Sequence, residues 1–106
     1  MRRAYREYVT EHDSPHVTKT PSPSFVAILC ALAELDEGER YTRVISERTG
    51  VDHGTASRVL RRMVRIELAD RYTEPEPAWR LGRPPRTYYT LTAAGKELAN
   101  RAAGVS

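Results

Sequence analysis

The chain has one cysteine, Cys30, so it can form no internal disulfide and no thiolate metal cluster. Cys30 lies in an apolar run, where a buried, inert thiol is expected. Histidines number three, and His12, His16 and His53 fall in separate segments, so no metal site is expected. Apolar runs are short as well. The longest, residues 25–33, is far below the length of a bilayer span, and no signal-peptide pattern is present. These absences point to a cytoplasmic protein without a membrane partner. Glycine is sparse and marks a turn and a hairpin loop, with no phosphate-cradling loop before a helix. The polar side chains fan outward and do not converge. The expectation is a protein that is not an enzyme, with no cofactor and no metal.

The 106 residues allow one small domain with a single core, and an apolar fraction of 40% suits a globular chain. Net charge is only +3, but its distribution is uneven. Between residues 58 and 86 stand eight arginines and four acids, a local balance of +4, so the remainder of the chain sums to −1. Arginine concentrated in this way is the footprint of a phosphate-binding surface.

Local patterns give the order of elements. Residues 1–13 carry Ala4, Tyr5, Tyr8 and Val9 as a narrow apolar stripe at helical spacing, a helix too short to stand alone. Residues 14–24, with three prolines among serines and threonines, read as an arm or linker. Ser24 is the expected N-cap of a helix whose core face is Phe25, Ile28, Leu29, Leu32 and Leu35. A break at 36–39 precedes a helix over about 42–49, with Tyr41, Val44 and Ile45 inward and Gly50 ending it. Asp52 is the expected N-cap of a helix reaching about residue 66. Its apolar side is Ala56, Val59, Leu60 and Met63, and its polar side is Ser57, Arg58, Arg61 and Arg65 without an acid. The period then changes: 68–73 and 87–91 read as strands flanking a Pro-, Gly- and Arg-rich loop over 74–85. Thr92 caps a last helix over about 93–103, in which Gly95 is a mild propensity cost. Trp79, in the loop, is expected to anchor the hairpin on the domain.

Three helices followed by a two-stranded wing make a winged helix-turn-helix. The fold class is mainly α with a small β-hairpin, comprising a core at 25–92 with an additional N-terminal helix and a C-terminal helix and tail at 93–106. The helix from 53 to 66, held out by a glycine turn, suits the major groove of double-stranded DNA.

The segment RTGVDHGTASRVLRRMVRIELADRY resembles the recognition region of MarR-like and PadR-like transcriptional regulators. The segment LGRPPRTYYTLTAAGKEL is similar to PadR-like wings, through Gly82, Arg83, Pro84, Tyr88, Tyr89, Leu91, Thr92 and Gly95. The resemblance covers about residues 25–98 and implies a DNA-binding regulator. Two features depart from it. Glu67 stands where those families usually have glycine, and the chain has only about a dozen residues after Thr92, where PadR-like proteins often carry a long dimerisation helix.

On this reading His53, Gly54, Thr55, Ser57, Arg58 and Arg61 face base edges, the two arginines having the fork that matches guanine. Gly54 permits close backbone approach. Arg62 and Arg65 meet phosphates, as do Thr42 and Arg43 at the start of the supporting helix. Arg80, Arg83 and Arg86 place the wing on the backbone or in the minor groove. Tyr5, Tyr8, Val9, Ala94, Leu98 and Ala102 are candidates for a homodimer surface, and two half-sites on a palindrome would raise affinity. The expectation is a dimeric repressor with no small-molecule effector evident. The alternatives are a winged-helix protein-interaction module and a non-specific architectural DNA binder.

Overall fold

The computed structural model describes residues 22–104. Helix α1 (Pro23–Glu34) starts two residues earlier than a cap at Ser24 would allow. Ser22 is the cap, its hydroxyl accepting from Phe25 N at 3.2 Å, and Pro23 occupies the first helical position, where its missing N–H costs nothing. The expected stripe of Phe25, Ile28, Leu29, Leu32 and Leu35 is buried, joined by Ala31. Cys30 is half-buried, and burial, followed by the nearby Glu34 carboxylate, pushes its thiol pKa up, which disfavours the reactive thiolate.

A single 3-10 turn (Glu37–Glu39) leads to Arg40 and Tyr41, which run alongside the wing. Tyr89 N donates to Arg40 O at 2.8 Å and Tyr41 forms an antiparallel bridge to Tyr88. The Arg40 side chain spans the same junction, donating to Leu35 O and to Thr90 Oγ1. Helix α2 (Thr42–Thr49) buries Ile45 and ends at Gly50, whose φ of 77° is the left-handed conformation that glycine adopts without a Cβ penalty. Two side chains tie the turn: Ser46 Oγ donates to Val51 O and Thr49 Oγ1 accepts from Val51 N. Helix α3 (His53–Arg65) is capped as expected by Asp52, which accepts from Thr55 N at 3.0 Å. The Thr55 hydroxyl, followed by this backbone bond, holds the Asp52 carboxyl below its ordinary pKa.

Glu67 resolves its departure from the family pattern by adopting the unfavourable conformation, with φ of 67°. Glu67 N donates to Val64 O and Leu68 N to Met63 O, which is the Schellman arrangement usually built on glycine. Leu68, the residue that follows, is fully buried, and Thr92 Oγ1 donates to Glu67 O at 2.8 Å. Burial of Leu68 and these bonds hold a strained residue in place.

Strands β1 (Ala69–Thr73) and β2 (Thr87–Leu91) pair antiparallel, from Ala69 opposite Leu91 to Thr73 opposite Thr87. The connecting loop is not wholly irregular: it contains a one-turn helix, α4 (Ala78–Leu81), started at Pro77 and closed by Gly82. Helix α5 (Ala93–Ala102) is capped by Thr92, whose hydroxyl accepts from Gly95 N. Gly95 is more than a propensity cost. A Cβ there would collide with the Leu68 carbonyl oxygen, so α5 crosses the α3–β1 turn backbone to backbone. Ile28, Leu29, Leu32, Ile45, Leu60, Met63 and Leu68 form the fully buried centre, and no polar side chain is buried among the described residues.

Ala94 and Leu98, expected on a dimer surface, are buried in this core instead, and of the last helix's candidates only Ala102 is exposed. The remaining candidates, Tyr5, Tyr8 and Val9, lie outside the described residues together with the expected N-terminal helix and most of the arm.

Candidate nucleic-acid interface

Helix α3 divides as its sequence dictates. Ala56, Leu60 and Met63 are fully buried and Val59 packs beside them. That burial fixes the helix rotation, so Arg58, Arg61 and Arg65 are turned to solvent and Arg62 is half-buried. Thr55 and these arginines border a shallow groove along the helix, and Arg58 reaches back to Thr55 Oγ1 at 3.4 Å. Arginines held apart on a helix face with no acid between them present a field of one sign.

A second groove, of about 370 Å³, joins three elements. Helix α3 contributes His53, Ser57 and Arg61. The start of α2 contributes Tyr41, Thr42 and Arg43. The distal end of β2 contributes Pro85, Arg86 and Thr87. Six of the residues singled out in the sequence, Thr42, Arg43, His53, Ser57, Arg61 and Arg86, therefore meet around one depression. Gly54 is exposed beside it, and the nearest atom to a Cβ there would be Asp52 Oδ2 at 3.4 Å, an ordinary contact. Nothing among the described residues demands glycine at this position.

The wing is organised by a residue that periodicity does not mark. Glu74 accepts from Arg83 through both carboxylate oxygens, at 2.7 and 3.0 Å, and from Arg86 N at 2.8 Å. Glu74 N returns a bond to Arg86 O. The Arg83 guanidinium is the main cause of a Glu74 pKa of about 2, and the Arg86 backbone bond is the next. Arg83 is thus committed to closing the loop, and its charge is offset within it. Arg86 is oriented differently: its guanidinium carbon lies 4.3 Å above the Tyr41 ring, which meets Tyr88 edge-on at 5.6 Å. A stacked arginine keeps its edge donors available while its plane is fixed. Arg80 is exposed on α4. Trp79 does not anchor the hairpin, since it is 82% exposed. A tryptophan flanked by Ala78 and Arg80 on a single turn has no element opposite it to pack on among the described residues.

Sequence reasoning missed Tyr41 and Glu74 as organisers of this surface. The Glu74–Arg83 spacing of nine residues becomes a contact only once the strand register is known, with Thr73 opposite Thr87. Among the described residues no helix is long and apolar enough to cross a membrane, and no group of His, Cys, Asp or Glu could hold a metal.

No family model and no curated protein matches the sequence. Solved structures do match the fold. BpsR of Bordetella bronchiseptica, whose DNA binding is regulated by 6-hydroxynicotinic acid, superposes with a TM-score of 0.66 at 22% identity, over 98% of this chain and 73% of that one. The S. aureus MepR–DNA complex gives a TM-score of 0.60 at 17% identity, over 99% and 74%. The PcaV transcriptional regulator of Streptomyces coelicolor gives 0.59 at 25% identity, over 97% and 69%. These neighbours are MarR-family winged-helix transcriptional regulators, and none is an enzyme. The fold they share with this chain is the winged helix-turn-helix.

Proposed function

We propose that the chain is a sequence-specific transcriptional regulator of the PadR-like type, a dimeric repressor that reads a palindromic operator. The observation that carries this reading is the convergence of α3, the start of α2 and the wing on one arginine-lined surface. In this reading the first turns of α3 enter the major groove, where Arg58 and Arg61 offer forked donors to guanine and Thr55 and Ser57 reach phosphate or base edges. Gly54 lets the backbone come close. Thr42 and Arg43 hold a phosphate at the α2 N-terminus. Arg62, Arg65, Arg80 and the stacked Arg86 hold the flanking backbone. Arg83 serves the wing from within, through Glu74.

The PadR-like wing motif has a physical sense in this geometry. Gly82 takes φ of 74° to close α4, Arg83 braces the loop, and Tyr88 and Tyr89 fasten β2 to the Arg40–Tyr41 segment. For the dimer, the sequence candidates Tyr5, Tyr8 and Val9 would join the exposed Ala102 of α5; a single short module binds weakly, and two half-sites multiply affinity.

Alanine substitution tests the reading. Arg58→Ala and Arg61→Ala should each weaken binding to a preferred duplex by about 1–3 kcal/mol and relax base choice at one position. Equal losses on preferred and random duplexes would remove the base-reading role. A protein-interaction module would bind neither.

A further inference from the structure

We propose that Trp79 is a specificity-determining residue that enters the DNA minor groove beside the major-groove segment facing α3; this rests on the DNA-binding reading above. Trp79 and Tyr72 are the large hydrophobic residues left exposed among the described residues, and Trp79 is the more exposed, at 82%. Its exposure is built and not the accident of a loose loop. Gly82 N donates to Ala78 O and Leu81 N to Pro77 O, so the residue sits on a closed helical turn. The turn is held at its root by the Glu74 carboxylate, which bonds the Arg83 side chain and Arg86 N together.

Two further observations choose the occupant. The first is position. The loop leaves the sheet at Thr73 and returns at Thr87, and Pro85, Arg86 and Thr87 border the groove that also contains His53, Ser57 and Arg61. The turn bearing Trp79 therefore extends from the strand ends that lie beside the first turns of α3. The second is charge. Glu74 offsets Arg83, and the formal charge of Glu76 balances that of Arg80, so the tip carries no net positive charge and Arg80 is the one tip cation left to meet a phosphate. An apolar tip rooted in a cationic surface suits a groove walled by sugars, where apolar wedges insert. Indole has one donor and no acceptor, and an A·T step presents only acceptors on its minor-groove edge, whereas G·C adds an amino donor. Trp79 would thus favour A·T at its point of entry.

Trp79 is the sole tryptophan, so indole emission reports this residue alone. The test uses the whole chain with two fluorescein-labelled duplexes, one A·T-rich and one G·C-rich, at low salt, where backbone binding is strong. Label anisotropy reports the complex independently of the indole. On the A·T-rich duplex, indole emission should fall and acrylamide should lose access as the complex saturates. Trp79→Ala should lose about tenfold in affinity there and much less on the G·C-rich duplex. Trp79→Phe, which keeps a wedge without the N–H, should bind but lose the preference. The residue is exposed, so both variants should retain the circular dichroism of the parent. Saturating anisotropy with unchanged indole emission and full binding by Trp79→Ala would overturn the proposal. Indole protection that follows protein concentration without DNA would assign Trp79 to a contact between copies and would also overturn it. Absence of any anisotropy change on either duplex would sink the DNA-binding reading itself, and this role with it.

Discussion

Gly95→Ala is the substitution whose effect follows most directly from the packing. Glycine inside a helix normally costs about 1 kcal/mol relative to alanine, so local propensity alone makes the change stabilising. The structure reverses the sign. The added Cβ would overlap Leu68 O and press on Leu91 Cδ2 at 3.0 Å. Leu68 O is backbone, it accepts from Thr92 N at 3.0 Å, and its residue is fully buried, so it has little room to yield. Overpacking of this kind costs about 1–3 kcal/mol and more where backbone must move. Because the colliding atom is backbone, the upper part of that range, about 2–3 kcal/mol, applies, and subtracting the propensity gain leaves a loss of about 1–2 kcal/mol, a fall in Tm on the order of 5–15 °C for a domain of this size. Urea and thermal unfolding followed by far-ultraviolet circular dichroism would measure it; Trp79 is too exposed to report core unfolding. An alanine variant as stable as the parent, or more so, would refute the close crossing of α5 over the α3–β1 turn.

Other substitutions probe the cap, the wing and the phosphate contacts. Glu67→Gly removes a left-handed penalty of about 1–2 kcal/mol but loosens the unfolded chain, so denaturation should show a net gain of about 0.5–1 kcal/mol. A loss would mean that the Glu67 side chain stabilises the turn. Glu74, ordinarily at 4.5, is held at about 2 in the fold. Its folded pKa is the depressed one, so its contribution is complete above pH 4.5 and is lost as pH falls from there through about 2. A pH series should therefore show a shallower acid limb for Glu74→Gln over that window, and parallel limbs would break the assignment. Arg43→Ala should lower the salt dependence of DNA binding by about 0.9 in log–log slope, equally on preferred and random duplexes. An unchanged slope would take the α2 N-terminus off the backbone.

Much of the fold was legible because its signals are local. Gly50 and Asp52 bracket the turn before α3, and both perform the expected roles, one through a positive φ and one through a cap. The β-branched and aromatic run over Thr87–Leu91 forms its strand with the expected limits. At the start of α1, Ser22–Pro23 was the stronger cap signal, since proline favours the first helical position, yet Ser24 stood nearer the apolar run. Helix α4 is a single turn, too short for any periodicity to register. The unread features are non-local. The need for glycine at position 95 is set by a carbonyl 27 residues earlier in the chain, which leaves no trace in the neighbouring sequence. The pairing of Arg83 with Glu74 turns an expected phosphate contact into an internal brace, and only the strand register brings the two together. Ala94 and Leu98 fit a dimer surface or an intramolecular one equally well by pattern, and it is the packing of α1 and the wing on α5 that claims them for the core. The arginine face of α3 was readable because a helix with Ala56, Leu60 and Met63 buried has only one side left for Arg58, Arg61 and Arg65.

Sequence-specific binding of duplex DNA is tested most directly by fluorescence anisotropy of the whole chain against duplexes tiled across the region upstream of its own gene, at physiological salt with excess random competitor. Specific regulators exceed their own non-specific affinity by about 10³-fold or more under such conditions. One fragment should therefore survive competition, and footprinting it should reveal two half-sites about one helical turn apart. Uniform binding that disappears with salt would leave only a basic surface, and no binding at any salt would transfer the arginine face of α3 to a protein partner.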